Sequence, residues 1–488
     1  MKRKILVSLM ILAAMIMTAC GGTATSDIET DGASGTTTGV SSEQKDPRDI
    51  DDGLPDTDFD GREFRILTYE MLVDDYIADT ENGGLINDAV FHRNRAVEER
   101  FGVTINTTNG GSNAAVKDIT RSSILSGDDE YDLVINHMID TANLAVTGVY
   151  SDFNDIKYID PSKPWWNKSV TENLSIGGKV WLMIGDISPF YIMHDYVVYF
   201  NKRLAAEYDI SESVLYKTAK DGKWTIDKYS SLTKDIWRDL NGNNEPDEED
   251  LYGFTTQVTS YITPFIYAFG ETTVNKDNND MPFLAINEDK CAAITEKVYN
   301  LLYGQQGTLP SNNWTLHRDT FMDGRAVFMN GVLSHAAKIF TDVEDDFGIL
   351  PLPKWDENQS EYYTMSDGCS PLIAIPKTVA DTDFVGMITE AMAAESYKSV
   401  TPAIYETALK VRGARDEESL EIIDLATRNC VVDFGFVFGD YDKMGFFLAN
   451  LMERKKENFA SYYASNKDKW EKRINDIIKT AESEGVLG

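Results

Sequence analysis

The chain has 488 residues, of which 80 are acidic and 46 basic, and its formal net charge at pH 7 is −34. Hydrophobic residues make up 42% and charged residues 26%, a globular composition whose length allows about two or three domains. The acidity argues against a nucleic-acid partner and against charge-driven binding to anionic lipid, because both need a basic face.

The N-terminus has the pattern of a secretory signal. Three basic residues, Lys2 to Lys4, precede a thirteen-residue apolar run that is too short to span a bilayer as a helix. Thr18-Ala19-Cys20-Gly21 then resembles the bacterial lipobox, in which the cysteine becomes the lipidated first residue; Met17 stands where leucine is preferred. We predict a signal peptide over 1–19 and lipidation of Cys20. The alternative is an ordinary cleaved signal with a chance cysteine.

Residues 20–60 are predicted to form a disordered tether. The stretch after Cys20 is rich in Gly, Ser and Thr and carries eleven acidic and two basic residues. Such a segment buries too little apolar surface to fold, and its charges keep it extended. A lipid anchor followed by this spacer would hold a folded domain near the extracellular face of the membrane. The three remaining cysteines, Cys291, Cys369 and Cys430, predict buried free thiols; a bridge between Cys369 and Cys430 is the alternative.

The first folded segment has a βαβ pattern. Strands are expected at 64–68, 103–106 and 131–136, and helices at 87–101, stopping at Gly102, and at 116–126. This order predicts a parallel sheet, in which ligands bind beyond the carboxyl ends of the strands. The residues at two of these ends are the first binding candidates: Tyr69, Glu70, Asn136 and His137.

Further strands are expected at 179–184 and 196–200. Helices are expected at 228–240, 290–303 and 383–394, and a last helix carries Trp470, Ile474 and Ile478 on one face. No P-loop, dinucleotide-binding glycine motif, HExxH or GxSxG motif is present, and the five histidines show no short metal-ligand spacing. The sequence therefore offers no catalytic motif.

Aromatic residues make up 11% of the chain. Their faces suit the apolar faces of sugar rings, with nearby polar groups to bond the hydroxyls. Trp165 and Trp166 follow Pro164 in a loop context, so we predict that at least one of them contacts ligand; burial of both in the core is the alternative. Tyr261 is a further aromatic candidate, and Trp314 belongs to the same set of aromatic residues.

A second signal is a stretch of oxygen-bearing side chains from residue 239 to 250. Their spacing resembles the twelve-residue EF-hand loop, which binds Ca²⁺ through oxygen ligands. Asn244 replaces the usual glycine, and no leaving helix is evident. A structural Ca²⁺ is predicted, with a solvated acidic turn as the alternative. The predicted ligands are Asp239, Asn241, Asn243, Glu245, Asp247 and Asp250.

Several segments together resemble the extracellular solute-binding lipoproteins of ABC importers, in the sugar-binding family that includes the maltose-binding proteins. Besides the lipobox and acidic spacer, the matching segments are GGKVW at 177–181, VYFNK at 198–202, KWTIDKY at 223–229, FMDGRAVFMNG at 321–331 and FGILPLP at 347–353. They occur in the family's order over most of 61–450.

The resemblance implies an α/β type II periplasmic-binding-protein-like fold, in which two lobes joined by crossover strands enclose a ligand cleft. The N-terminal lobe would comprise 61–188 and 366–432, and the C-terminal lobe 189–365 and 433–488. It also implies that residues at the crossings line the cleft, as hydrogen-bonding groups rather than acids or bases. These are Asp186, His194, Asp195 and Asp367. Leu333 stands where many members have a sugar-stacking tryptophan.

The expected function is therefore capture of a sugar or oligosaccharide and its delivery to the permease subunits of an ABC importer, without catalysis. Two alternatives stay open. A non-sugar solute such as a peptide or an amine would also suit aromatic and acidic residues. A secreted glycoside hydrolase would need two carboxylates flanking a cleft. The sequence does not name the sugar.

Overall fold

A computed structural model of the protein describes residues 48–340, 343–410, 417–439 and 442–487. The predicted signal peptide, Cys20 and residues 20–47 of the predicted tether lie outside the described residues. The described end of that tether packs on the fold instead: Leu54 is buried, and the Asp52 carboxylate accepts from Arg100 (2.5 Å). Within the described residues, no helix combines the length and apolarity needed to cross a membrane. Cys291, Cys369 and Cys430 are free thiols, and Cys291 and Cys430 are buried.

The first sheet has four strands in the order β12-β3-β1-β2. Its members are β1 (Arg62–Thr68), β2 (Val103–Asn109), β3 (Leu133–His137) and β12 (Pro371–Ala374). Strands β2 and β3 flank β1 in parallel, and β12 runs antiparallel to β3 with Ile373 opposite Ile135. The βαβ interpretation of this segment is confirmed.

The crossover helix α1 (Leu85–Phe101) has the apolar periodicity and the glycine stop that the sequence predicts. Its apolar side chains Val90, Val97 and Phe101 are buried against the sheet side of the helix. It ends at Gly102, whose φ of 57° is left-handed, a conformation that glycine adopts without the steric strain of a side chain. The Gly102 amide donates to the carbonyl of Glu98 and so caps the helix. The predicted stop is therefore correct.

The second sheet follows the order β11-β4-β10-β6-β5, with β9 also paired to β6. Its strands are β4 (Tyr196–Asn201), β5 (Trp237–Arg238), β6 (Leu251–Gln257), β9 (Thr308–Ser311), β10 (Ala326–Val332) and β11 (Phe347–Leu350). Strands β6, β9 and β10 are parallel, and β4 runs antiparallel to β10 with Tyr196 opposite Val332. A separate hairpin pairs β7 (Val274–Lys276) with β8 (Pro282–Leu284).

Helices cover both sheets. The remaining ones are α2 (Asn113–Ser126), α3 (Met138–Ala145), α4 (Lys168–Leu174), α5 (Pro189–Met193), α6 (Lys202–Glu207), α7 (Glu212–Lys220), α8 (Ile226–Thr233), α9 (Pro264–Ala268), α10 (Glu288–Tyr303), α11 (Leu316–Met322), α12 (Ser334–Lys338), α13 (Thr382–Glu395), α14 (Thr401–Lys410), α15 (Glu417–Thr427), α16 (Phe434–Val437), α17 (Phe447–Glu453) and α18 (Phe459–Ser483). The long helices expected at 290–303 and 383–394 correspond to α10 and α13.

Two expected elements differ in the structure. The segment 179–184 is not a ladder strand; it makes a single bridge between Met183 and Ile373. The helix expected over 228–240 ends at Thr233, because Trp237 then pairs with Tyr252 as a strand. The close approach of Gly253 to the Thr233 carbonyl, which a side chain would block, allows this turn.

Two antiparallel segments connect the sheets. One runs into β4 and the other into β12, and they meet at a bridge between Asp195 and Ser366. The Asp367 amide donates to the His194 carbonyl (3.0 Å), and the Tyr196 amide to the Met365 carbonyl (3.1 Å). Because β4 begins beside the end of β10, and β12 beside the end of β3, the crossing lies at the carboxyl ends of parallel strands in both sheets. The predicted lobe boundaries stay a prediction.

Candidate functional site

Ligands of open α/β sheets bind beyond the carboxyl ends of the strands, and in this fold those ends from both sheets meet at the crossing segments. The carboxyl ends of β1 and β3 supply Tyr69 and His137 on one side. The carboxyl end of β10 and the start of β4 supply residues on the other side. We call the space between these ends the cleft.

Asp367 is the polar centre of the cleft. Its Oδ2 accepts a hydrogen bond from the Tyr196 hydroxyl (2.6 Å), and its Oδ1 accepts from the Cys369 amide (2.9 Å). The Tyr196 ring stands edge-on to Tyr261, with ring centroids 5.5 Å apart. Tyr69 reaches the same segment from the first sheet, because its hydroxyl donates to the Cys369 carbonyl (2.5 Å). Three tyrosines and one carboxylate thus surround the crossing.

His335 and His317 both pack against Tyr261. The Tyr261 hydroxyl lies 3.2 Å from Nε2 of His335, and the His317 ring lies 4.7 Å from the Tyr261 ring. Both histidines are buried, and burial lowers the pKa of His317 to about 3 and that of His335 well below its usual value. They are therefore neutral at physiological pH. Neither ring nitrogen of His317 has a hydrogen-bond partner in the described structure.

His194 is held rigidly in the first crossing segment. Its ring stacks on Phe190 at 3.6 Å between centroids, and its Nδ1 lies 2.9 Å from the Phe190 carbonyl. Its Nε2 is 3.5 Å from the Ser334 hydroxyl at the end of the second sheet. Burial lowers the pKa of His194 to about 4, so this group too is a neutral hydrogen-bonding group.

The other candidates at the first sheet's edge differ in exposure. Glu70 is exposed at the start of a 3-10 turn. Asn136 is buried and its Nδ2 donates to the Asn113 carbonyl (3.1 Å), while its side-chain oxygen Oδ1 has no partner in the described structure. His137 is partly buried, with Nδ1 3.8 Å from Asp140. These residues lie at the carboxyl ends of β1 and β3.

Asp186 and Asp195 lie elsewhere, on the opposite side of the crossing. Both line a cavity of about 570 Å³ together with Trp166, Tyr191 and Cys430. Burial raises the pKa of Asp186 to about 7, although Thr401 donates to its Oδ2 (2.6 Å), and burial raises that of Asp195 well above its usual value. We call this space the hinge cavity. The structure therefore divides the predicted crossing residues between two sites.

The tryptophan pair has a structural contact in the described protein. The indole nitrogens of Trp165 and Trp166 both donate to Glu390 on α13, at 3.0 and 2.8 Å. Trp165 is fully buried, and Trp166 is 5% exposed where it borders the hinge cavity. Burial raises the pKa of Glu390 to about 7. Neither tryptophan faces the cleft tyrosines.

Two features of the cleft were not selected from the sequence. Trp314, 62% exposed, follows β9 and lies beyond the carboxyl end of that strand. His317 and His335 converge on Tyr261 from segments that are eighteen residues apart. The exposed loop position after a strand could have indicated Trp314, whereas no local signal indicates the histidine pair.

The acidic loop is closed by its own hydrogen bonds. Asp239 accepts from the amides of Gly242 (2.6 Å) and Asn244 (2.8 Å), and Asn244 has a φ of 61°. The Nδ2 groups of Asn241 and Asn243 converge on one oxygen of Asp247. Glu245 is exposed.

Asp250 differs from the rest of the loop. It is fully buried and accepts from the Trp237 indole nitrogen (3.0 Å) and the Leu240 amide (3.1 Å). In the described part of the chain, no three or more His, Cys, Asp or Glu side chains are grouped to hold a metal. The loop joins β5 to β6, so no helix leads into it: the helix predicted over 228–240, which would fit the entering helix of an EF-hand, ends at Thr233.

The structure is similar to several solved binding proteins. The cyclic α-maltosyl-1,6-maltose binding protein of Arthrobacter globiformis is 14% identical over 86% of this chain and 99% of its own, with a TM-score of 0.55. The GacH receptor of Streptomyces glaucescens, solved unliganded and with acarbose, is 10% identical over 83% and 99% (0.52). UgpB of Mycobacterium tuberculosis, in complex with glycerophosphocholine, is 14% identical over 87% and 98% (0.51).

No family model matches the sequence, and the search of curated proteins found no match. At these identities the likeness concerns the fold. The chain has the mixed α/β fold of type II solute-binding proteins, which confirms the predicted fold class.

Proposed function

We propose that the protein binds a sugar or oligosaccharide at the extracellular face of the cell and delivers it to the permease of an ABC importer. The observation that carries this proposal is the cleft, where Tyr196 and Tyr261 stand beside Asp367 at the joined carboxyl edges of the two sheets. Aromatic walls with a few placed polar groups are what a sugar site needs. Two structural neighbours, described with a cyclic maltosyl sugar and with acarbose, support the same ligand class.

The residues suggest how the ligand would be held. Asp367 has lone pairs left after accepting from Tyr196 and Cys369, so it would accept from a ligand hydroxyl. His194, neutral and fixed on Phe190, would exchange a hydrogen bond with another hydroxyl. Contacts with both sheets would favour the closed arrangement only to the extent that the ligand binds it more tightly. No bond is made or broken in this mechanism, so we propose no enzymatic activity.

The same proposal includes a lipid anchor on the protein and a permease as its partner. Cys20 would carry the lipid, and the Gly-, Ser- and Thr-rich acidic segment that follows it, before the described residues begin at 48, would let the folded part reach a permease in the same membrane. Mutation of Cys20 to serine should release the protein from the membrane fraction into the medium. Retention of that variant on the membrane would contradict the lipid anchor.

A structural Ca²⁺ in the loop is proposed as well. Asp239, Asn241, Asn243 and Asp247 would hold it, since the two asparagine amides already converge on Asp247 and a turned amide presents oxygen instead of nitrogen. Asp250 is engaged by Trp237 and Leu240 and would orient the loop from inside the fold. The ion would contribute stability, not chemistry.

The test of the main proposal is a thermal-shift screen of residues 48–488 against oligosaccharides, simple sugars, peptides and amines. A ligand at about 100 times its Kd stabilises a protein by roughly 2.7 kcal/mol, which is readily measured. Stabilisation by a glycan series without product formation would support sugar capture. Stabilisation by a peptide or an amine alone would overturn the sugar proposal and favour the non-sugar alternative.

A further inference from the structure

Arg318 on α11 is partly buried and has no hydrogen-bonded or ionic partner among the described residues. Every other described arginine that is not exposed has an acceptor. Those arginines and their acceptors are Arg48 with Tyr397, Arg62 with Asp381, Arg65 with Asp132, Arg93 with Asp75, Arg325 with Asp323, and Arg473 with Phe438. Arg318 is thus the exception within the described part of the chain.

Arg318 lies beside the cleft, because it directly follows His317, whose ring contacts Tyr261. Burial raises the pKa of Tyr261 and lowers those of His317 and His335, and the nearby positive charge of Arg318 acts on all three groups as a smaller effect. Lys338, at the end of α12, is exposed, has no ion pair in the described structure, and lowers the pKa of His194. Two cations that form no ion pair with the described residues therefore lie near the same group of neutral histidines, although Lys338 also acts electrostatically on the buried Asp75.

An unpaired guanidinium is unexpected in this chain. Partial removal from water is costly for a charge unless an opposite charge or hydrogen bonds replace the water. Acidic residues outnumber basic ones by 80 to 46, so a partner was available. Yet the adjacent Asp319 makes no ion pair with Arg318, and Asp323, on the next turn, pairs with Arg325.

Asp367 carries the negative charge of the cleft, but it is bonded to the Tyr196 hydroxyl and to the Cys369 amide rather than to either cation. The cleft therefore has an acceptor at the crossing and free cations on the α11 and α12 side. A ligand that matches both would place hydroxyls at Asp367 and an acidic group near Arg318.

We propose that the cleft selects a carbohydrate that carries an anionic group, namely a carboxylate, a phosphate or a sulfate, with Arg318 as its counter-ion. This inference rests on the proposed sugar-binding function and names the ligand class. The planar guanidinium has five N–H donors and can bond two oxygens of such a group at once. Trp314, exposed four residues before Arg318, would offer a ring face to the same sugar.

The experiment measures binding by calorimetry with pairs of ligands that differ only in charge. One pair is trigalacturonate and its methyl ester; a second set is glucose, glucuronate, glucose 6-phosphate and glucose 6-sulfate. The acidic member of at least one pair should bind ten times more tightly or better, and the second set tells which anion is preferred. Arg318→Gln should remove that preference while changing the affinity for the neutral member less than twofold.

The matched control is Arg121→Gln on α2, because Arg121 is exposed, makes no hydrogen bond or ion pair with the described residues and carries the same charge. It should leave all affinities unchanged. Equal losses in the Arg318 and Arg121 variants would indicate a general charge effect and overturn the inference. Binding of neutral sugars with no anionic preference would overturn it while leaving the sugar-binding proposal intact, and absence of binding to every glycan would overturn both.

Discussion

His194 and Asp195 are adjacent in the chain, yet their side chains lie on opposite sides of the segment that joins the two sheets. His194 stacks on Phe190 and approaches Ser334 at the cleft, whereas Asp195 lines the hinge cavity beside Cys430. His194 ends α5 as its C-cap, whereas Asp195 begins the bridge to Ser366, so the backbone turns between them and the two residues serve two surfaces. Ligand contacts and hinge packing can therefore be tested separately.

The first prediction compares two carboxylates of the crossing. Asp367→Asn should weaken ligand binding about tenfold or more, because a charged acceptor for ligand hydroxyls is lost while the Tyr196 bond can persist through the amide oxygen. Asp195→Asn should leave the affinity unchanged, since this side chain faces the hinge cavity. Calorimetry with the ligand from the screen measures both.

Circular dichroism melting of the same two variants is the control for folding. Burial raises the pKa of Asp195 and so disfavours its charged form, and asparagine has the same shape without a charge, so the fold should tolerate it. A tenfold loss of affinity in the Asp195 variant, with Asp367→Asn unaffected, would place the ligand in the hinge cavity instead of the cleft.

The second prediction concerns Trp314. Because its ring is exposed, Trp314→Ala should leave the melting temperature nearly unchanged but weaken ligand binding about tenfold. Trp166→Phe is the comparison: it removes a buried bond to Glu390 and should lower the melting temperature without the same effect on affinity. Ligand-induced quenching of tryptophan fluorescence should be reduced only in the Trp314 variant. Unchanged quenching there would exclude this ring from the site.

The sequence was sufficient for features that depend on local pattern. The βαβ order, the stop at Gly102 and the place of Asp367 at the crossing follow from apolar periodicity, a glycine with left-handed φ and a resemblance in segment order. Features that depend on a partner far away in the sequence could not be predicted from the sequence alone. Glu390 is more than 220 residues from Trp165 and Trp166, whose indole nitrogens it binds, and no residue near Trp165 in the sequence indicates this partner.

Arg318, which has no ionic partner among the described residues, is a second feature that its local sequence does not reveal. Its sequence neighbourhood, Leu-His-Arg-Asp, suggests an ordinary helix start with an acidic neighbour. Only the three-dimensional arrangement reveals that Asp319 does not pair with it and that His317 and His335 surround Tyr261 beside it. Charge balance in a chain of this acidity cannot be read from composition alone.

The third prediction is a pH dependence from Asp186. Burial raises the pKa of this carboxyl to about 7 in the folded protein, compared with about 3.9 in an unfolded chain. Between these values the folded state binds the proton more strongly, so the contribution of Asp186 to stability is complete below about pH 4 and is lost as the pH rises towards 7. The change is at most about 1.4 kcal/mol per pH unit for one proton.

Asp186→Asn isolates this contribution from the other titrating groups. The variant should lose less stability than the wild type between pH 5 and pH 7.5, as measured by urea unfolding at both values. Thr401 is retained in both proteins and can still donate to the amide oxygen. Parallel pH profiles for the two proteins would show that Asp186 does not titrate in this range.

The last prediction tests the acidic loop. If Asp239, Asn241, Asn243 and Asp247 hold Ca²⁺, chelation should lower the melting temperature of the wild type, and Asp239→Asn with Asp247→Asn should abolish that sensitivity. Asp250 is unsuitable for this test, because its replacement would leave the Trp237 indole and the Leu240 amide without their acceptor and destabilise the fold with or without an ion. Equal melting of the wild type with chelator and with added Ca²⁺ would show that the loop is closed by its own asparagine and aspartate turns alone.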